Sequence, residues 1–318
     1  MEFYQNSEFK GTDYDGSVKP KFSDLPTEIL FKILDELDPI HKLLTRSVSR
    51  QLRSIIDCLP PDIKQLTFCD DYGLLKVIID EEDEINFKDG CEVSFRTIRK
   101  TIEGACHVEL ALDFLRPILS NPKLKLENLN LYQAGNNMEI LNKFIDFLAN
   151  LRIHLEVKIL TIQLDNSANL NRLMSFLMPG HLESIEIDLP EGIQCGLLEF
   201  LNTEQFKKAK TARLVDNEPL DPSEIHRFLH LSDFDFQLTS FSIQDFFSLR
   251  AALSTSDVFE KCAFFVHRHL ILEELAEALG EELLVGRFMN HYYPFANSND
   301  TLHFSFANSS IVIQRIHD

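Results

Sequence analysis

The chain repeats one short pattern, apolar-x-x-apolar-x-apolar, at Leu126/Leu129/Leu131, Val157/Leu160/Ile162, Leu182/Ile185/Ile187, Ala209/Ala212/Leu214, Leu238/Phe241/Ile243 and Phe259/Cys262/Phe264. Each copy reads as a strand. Between copies lie stretches with helical spacing, such as Ile140/Leu141/Phe144/Ile145/Leu148, Leu170/Leu173/Met174/Leu177, Leu197/Leu198/Leu201, Ile225/Phe228/Leu229 and Leu270/Ile271/Leu275/Leu279. A strand–helix unit of this size cannot bury its apolar face alone, so successive units must stack against one another. The expected product is a curved sheet with helices outside it.

The central residues of successive copies lie roughly 21 to 31 apart, close to the period of leucine-rich repeats. The fold class expected is therefore α/β, an irregular leucine-rich-repeat-like solenoid, with an ordinary α/β sheet domain as the alternative. Ahead of the repeats, Ile63–Phe68, Leu75–Ile79, Ile85–Phe87 and Val93–Phe95 alternate or run apolar between turns and predict a small meander. Val108, Ala111, Leu112, Leu115, Ile118 and Leu119 then predict a helix that Asn121-Pro122 ends. Leu302/Phe304/Phe306 and Ile311/Val312/Ile313 predict a closing hairpin or edge strands.

The opening of the chain differs. Residues 1 to about 20 are polar and aperiodic, as in a flexible tail. From Leu25, three short helices are predicted: Ser23 and Asp24 can cap the first, Asp38-Pro39 separates it from a second carrying Ile40, Leu43 and Leu44, and Val48, Leu52, Ile55, Ile56 and Leu59 mark a third, which Pro60-Pro61 ends. The first helix is apolar over an arc of roughly 200°, through Pro26, Ile29, Leu30, Phe31, Ile33, Leu34 and Leu37, where one core needs about 100°. Glu28, Lys32, Asp35 and Glu36 fill the rest. About 40 residues hold little core of their own, so the surplus side chains are expected to dock on another polypeptide. Burying six of them would gain roughly 9 to 18 kcal/mol before association costs. Which half of the arc faces outward is not fixed by the pattern.

Composition narrows the function classes. With 50 acidic and 31 basic residues the chain carries a formal charge of −19, which works against binding nucleic acid. No apolar run reaches the length of a membrane helix, and MEFYQNSEFKGTDYDGS has neither the basic nor the apolar region of a secretory leader. A cytoplasmic or nuclear protein is expected. Cys58, Cys69, Cys91, Cys106, Cys195 and Cys262 form no framework and read as reduced, mostly buried thiols. The pairs His226/His230 and His267/His269 lack further ligands at motif spacing, and the acidic run Asp80–Glu84 lacks the spaced oxygens and glycine of a calcium loop, so no metal and no cofactor are expected. Arg46, Arg50 and Arg53 share a helix side and, like Lys207, Lys208 and Lys210, read as a solvated or acid-paired face. With no phosphate-loop or G-x-S-x-G motif and no nucleophile–base pair, the chain is not expected to be an enzyme.

Residues Leu25-Pro26-x-Glu28-Ile29, Ile33-Leu34, Leu37-Asp38-Pro39 and Val48-Ser49-Arg50-x-Leu52-Arg53 resemble an F-box, with Leu52 where many F-boxes have Trp and Lys42 at a site often apolar. The remainder resembles the FTH, or F-box-associated, domain of nematode F-box proteins. The matching segments are His181–Pro190, Thr203–Lys210, Phe228–Cys262 and YYPFANSNDTLHF near the end. Phe206 stands where these domains commonly have Trp. The expected organisation is a tail over 1–20, an F-box over 21–60, meander and helix over 61–122, and the repeat domain over 123–318.

The resemblance implies a substrate-recognition subunit of a Skp–cullin–F-box ubiquitin ligase, in which the F-box binds a Skp-type adaptor, and through it a cullin, while the C-terminal domain holds a protein substrate. An F-box scaffold that sequesters or positions its partner without degradation is the alternative. Carried over to this sequence, the adaptor contacts are Leu25, Pro26, Ile29, Leu30, Ile33, Leu34 and Val48. The positions flanking the buried strand residues point to the open face of a sheet, which makes Asn128, Asn130, Tyr132, Thr161, Gln163, Ser184, Glu186, Asp188, Arg213, Ser242 and Gln244 the candidate substrate contacts, with loops as the alternative.

Overall fold

The computed structural model describes residues 25–88, 92–96, 98–102, 104–133, 138–163, 167–188, 196–215, 219–268, 272–283, 288–296 and 298–317. The proposed caps Ser23 and Asp24 lie outside them, as do Cys91, Cys195 and His269. The chain folds as mixed α/β around one large sheet, with helices α1 (Thr27–Asp35), α2 (Pro39–Arg46) and α3 (Arg50–Ile56) at its start. Asp38 caps α2 by accepting from His41 N at 2.8 Å, and Ser49 caps α3 by accepting from Leu52 N at 3.2 Å.

The sheet has 14 strands. Seven run parallel: β1 (Gln65–Asp71), β6 (Lys125–Gln133), β7 (Glu156–Gln163), β8 (Ser184–Asp188), β9 (Thr211–Val215), β10 (Asp233–Leu238) and β11 (Lys261–Val266). They lie side by side in chain order. Because the order never reverses and parallel crossovers share one hand, the connecting helices collect on a single face and leave the other open. These helices include α4 (His107–Leu119), α5 (Met138–Leu151), α6 (Ser167–Met174), α7 (Leu197–Phe200), α8 (Glu204–Lys207) and α9 (Ile243–Leu253), with a 3-10 turn at Pro222–Phe228 between β9 and β10. The meander β2 (Leu74–Ile79), β3 (Asp83–Lys88), β4 (Glu92–Phe95) and β5 (Ile98–Thr101) extends the same sheet antiparallel beyond β1. Since β1 pairs directly with β6, residues 61–122 and 123–318 share one sheet. After α10 (Leu272–Leu279), β12 (Met289–Pro294), β13 (Thr301–Phe306) and β14 (Ser310–Ile316) close the other end, β14 lying antiparallel to β11.

The spacing of the repeat has a backbone cause. Residues i and i+3 of a strand cannot share a face unless one extra residue is absorbed between them. That residue sits at a kink where two successive amides reach one carbonyl. The amides of Glu127 and Asn128 both donate to Lys64 O, those of Lys210 and Thr211 to Glu183 O, and those of Glu260 and Lys261 to Ser232 O. From Lys64 through Glu127, Lys158 and Glu183 to Lys210 these positions alternate in charge, until Ser232 breaks the series, and Lys210 Nζ lies 3.2 Å from Glu183 Oε1.

One copy of the repeat is misplaced by the sequence pattern. Of Leu238/Phe241/Ile243 only Leu238 lies in β10, at its end; the pattern that fits the strand is Leu231/Phe234/Phe236, seven residues earlier, with Phe234 and Phe236 inside β10 and all three buried. Ser242 and Asp245 form a capping box, Asp245 N donating to Ser242 Oγ at 3.2 Å and Ser242 N to Asp245 Oδ2 at 2.8 Å, and this draws Ile243 into α9. Of the thiols, only Cys262 is buried among those described; Cys69 and Cys106 are partly buried and Cys58 is exposed, so "mostly buried" does not hold.

The core between sheet and helices is rich in phenylalanine. Phe206 is fully buried, with ring centroids 5.2 Å from Phe200, 5.4 Å from Phe228 and 5.3 Å from His230. Phe228 stacks on Phe236 at 4.2 Å. At the closing end, Arg315 Nη2 pairs with Asp300 Oδ2 at 2.6 Å and the guanidinium lies 4.3 Å from the centroid of the Phe295 ring. His317 Nε2 approaches Glu260 Oε2 at 2.9 Å and its Nδ1 approaches Asp300 Oδ2 at 3.4 Å. The Glu260 hydrogen bond, helped by the charges of Glu260 and Asp300 against that of Arg315, raises the His317 pKa. The hydrogen bond from Arg315 is the main force that holds Asp300 below its ordinary value.

Two outcomes are expected. Phe228→Ala lowers unfolding free energy by about 3–5 kcal/mol, read as a shift in urea midpoint. A raised folded-state pKa means that the His317 contribution is complete below the unfolded value of 6.5 and is lost as pH rises through the folded one. His317→Gln therefore lowers the melting temperature more at pH 6 than at pH 8.5, and equal losses at both would contradict this role.

Candidate protein-docking site

The first helix divides its apolar arc between two tasks. Leu30 and Leu34 are fully buried and join Leu52, Ile55, Ile56 and Leu59 in a small core separate from that of the sheet. Leu25, Phe31 and Leu37 pack at its margin. The other half of the arc faces solvent, with Ile29 42% and Ile33 39% exposed beside an exposed Pro26. Val48, in the turn between α2 and α3, is 57% exposed. Leu30 and Leu34 are thus corrected: they are internal to this chain and are not available as partner contacts. The free strip is Pro26, Ile29, Ile33 and Val48, with Leu25 half-buried at its edge.

The correction lowers the expected docking energy. Four or five partly exposed side chains, each gaining about 1 kcal/mol on further burial, fall well short of the gross gain expected from six surplus ones. They offer a few hundred square ångströms, against roughly 800 Å² per partner in a stable interface.

The strip is held rigidly on the sheet through α2. Ile40 is 1% exposed and belongs to the sheet's core, with Leu43 and Leu44 packed beside it. Lys42 is buried along its stem and its Nζ pairs with Asp62 Oδ2 at 2.8 Å, which accounts for a lysine at this apolar site. Arg46 clasps Asp57 at 2.5 and 3.1 Å, Asn121 Nδ2 donates to Leu59 O at 3.0 Å, and Lys123 Nζ donates to Cys58 O at 2.9 Å. The turn between β4 and β5 is tied back to β3, where Arg96 Nη2 donates to Asp83 Oδ1 at 2.8 Å. Burial pushes the Asp38 carboxyl up, but hydrogen bonds from His41 and the nearby Arg96 guanidinium bring it below its ordinary value.

The second candidate surface is the open sheet face. Asn128, Asn130, Tyr132, Thr161, Gln163, Ser184, Glu186, Asp188 and Arg213 all lie on strands β6 to β9 and point away from the core residues between them. Strand pairing sets Asn130, Thr161, Glu186, Arg213 and Asp235 in one row across five strands. Asn130 is only 9% exposed and its Nδ2 donates to Thr67 Oγ1 at 3.0 Å, so it braces the face more than it lines it. Ser242 and Gln244 are corrections: they lie at the cap and in the first turn of α9, off the sheet face. The residues that replace them are Asp235 and Gln237, and β11 adds Phe265, 49% exposed. The Leu231/Phe234/Phe236 triplet and the Ser-x-x-Asp box carried this signal.

The centre of the face is partly dry. Burial raises the Asp235 carboxyl against the opposing charge of Arg213, whose Nε lies 3.8 Å away. Burial, with the charges of Glu186 and Cys69, raises the Tyr132 phenol. Thr211 Oγ1 donates to Ser184 Oγ at 2.8 Å.

The remaining motifs are engaged structurally. His226 Nδ1 contacts Ser223 O and His230 Nε2 contacts Phe206 O, while Asp80 Oδ1 accepts from Lys64 N and Gln65 N at the β2–β3 turn. Among the described residues no group of three or more His, Cys, Asp or Glu could hold a metal ion, and no helix is long and apolar enough to cross a membrane.

Comparison with known proteins agrees with this geometry. Residues 22–64 match the F-box domain and residues 138–282 match the FTH domain. The chain is 27% identical over 281 residues to F-box A protein 224 of Caenorhabditis elegans, covering 80% of this chain and 69% of that protein. The solvent-facing strip thus lies on the matched F-box, the open face runs through the matched FTH segment, and the chain is an F-box protein with an FTH domain.

Proposed function

We propose that this protein is the substrate-recognition subunit of a Skp–cullin–F-box ubiquitin ligase. F-box domains generally bind Skp-type adaptors, and the observation that carries the reading is the strip of Pro26, Ile29, Ile33 and Val48, left bare by a module whose own core is already complete. In this reading the three helices are the F-box and the stacked units an irregular leucine-rich-repeat-like solenoid. The open face, with Tyr132, Gln163, Glu186, Asp188, Arg213, Asp235 and Phe265, holds a protein substrate; its mixture of aromatic and charged groups suits a protein surface better than a small apolar ligand. The chain performs no bond chemistry. Held between adaptor and substrate, it raises the effective concentration of substrate lysines at the ligase's ubiquitin-loaded partner. The clasp of α2 on the sheet fixes the distance between the two surfaces.

Ile33→Asp places a charge on the exposed strip without touching Leu30 or Leu34, and is expected to abolish co-purification with a Skp-type adaptor while leaving the melting temperature within about 2 °C of wild type. Unchanged adaptor binding overturns the reading. If adaptor binding is lost but the half-life of a captured partner is insensitive to proteasome inhibition, the scaffold alternative replaces degradation.

A further inference from the structure

Past the kinks, the strand segments 128–132 of β6, 159–163 of β7 and 184–188 of β8 contain no Lys or Arg, while β8 presents Glu186 and Asp188 to the open face. Glu186 has no ion-pair partner among the described residues: Arg213, opposite it on β9, turns to Asp235 at 3.8 Å. On its other side lies Thr161 of β7, and beyond that Asn130 of β6. Two strand spacings, about 9–10 Å, separate Asn130 from Glu186, and only the short threonine stands between them. The three form a trough.

The wall made by Asn130 is fixed in orientation. This residue is 9% exposed, and its Nδ2 donates to Thr67 Oγ1, toward β1. The nitrogen and oxygen of a carboxamide diverge, so Oδ1 turns to the β7 side, where no hydrogen bond reaches it among the described residues. Asn128 is turned alike, its Nδ2 donating to Gln65 Oε1 at 3.1 Å and its Oδ1 without a partner. An amide oxygen set this deeply and left without a donor is costly, and it points to a donor that arrives from outside. Tyr132, two residues beyond Asn130 on the same face, completes the trough. Burial first, and then the charge of Glu186, raises its phenol, so the ring and the carboxylate act on one another across β7.

We infer that this trough seats one arginine side chain of the protein substrate, its guanidinium over Thr161, donating to Asn130 Oδ1 on one side and to the Glu186 carboxylate on the other, with Tyr132 against its face. This rests on the proposed role of the open face in holding substrate and deepens it by naming the substrate class, a protein that presents an exposed arginine. A lysine ammonium is a compact point charge and reaches one wall at a time. A guanidinium carries donors on two sides of one plane and stacks on aromatic rings.

The test titrates the full chain with N-acetylarginine methylamide, followed by saturation-transfer NMR. The arginine probe is expected to bind about tenfold more tightly than its citrulline counterpart, which keeps the shape without the charge, and its lysine counterpart, which keeps the charge without the fork. Glu186→Gln is expected to weaken binding about tenfold, and Thr161→Tyr, which fills the trough without changing charge, to abolish it, both with unchanged melting temperature. Glu277→Gln, an equal loss of charge at an exposed position of α10, leaves binding as in wild type. Absence of saturable binding overturns the inference. So does equal binding of the arginine and lysine probes, or equal weakening by Glu186→Gln and Glu277→Gln, which marks a general attraction to an acidic chain. The reading on which it rests is separated by carrying Thr161→Tyr into capture of partners by the adaptor-bound chain. If the probe fails but Thr161→Tyr loses partners held by the wild type, the open face holds substrate through other chemistry and only the inference falls; if those partners are retained, the open face is not the substrate surface and both fall.

Discussion

The structure depends on one extra residue per repeat. An alternating strand turns successive side chains to opposite faces, so the pattern apolar-x-x-apolar-x-apolar can line one face only if the backbone kinks once after its first position. The kinks at Glu127, Lys210 and Glu260 do this, each closing two amides on a single carbonyl of the preceding unit. Because the parallel strands follow one another in chain order and their crossovers share one hand, the connecting helices fall on one face. The fold therefore has a greasy face under helices and a bare polar face opposite, and the candidate substrate residues are a consequence of that division.

A stack of this kind has two ends, and both are finished with antiparallel strands. At the far end β12–β14 fold over the last helices, tied by Arg315, Asp300 and His317. At the near end the meander β2–β5 covers β1 and packs against α2 and α4. The near end also has to receive the helical module. The module's core of six buried side chains is closed on itself, and its attachment comes through α2, whose Ile40 is counted in the sheet's core and whose Lys42 reaches Asp62 through an otherwise apolar site. The exposed strip and the open sheet face are in this way joined through the packing of α2.

The two surfaces differ in chemistry. The strip on α1 is aliphatic and narrow, and gains by shape and burial. The open face is built of amides, hydroxyls and opposed charges, with Arg213 between Glu186 and Asp235 in one row.

Much of this was legible in the residues. Hydrophobic periodicity located most strands and helices because it records directly which side chains avoid water, and the surplus on the first helix announced a second burial task. Periodicity could not choose between Leu231/Phe234/Phe236 and Leu238/Phe241/Ile243, since both satisfy the pattern; a local hydrogen-bond contest at Ser242 and Asp245 decided it, and with it the identity of the β10 face residues. Nor could an angular plot say which side of the first helix turns inward, because Leu30 and Ile33 are equally apolar. Sequence alone determined the alternation of strand and helix, the polarity of the faces and the apolar surplus on the first helix, all of which follow from local chemistry. Only the tertiary structure decided that Leu30 and Leu34 belong to the module's own core and that α2 belongs to the sheet, because each of these depends on where distant segments meet.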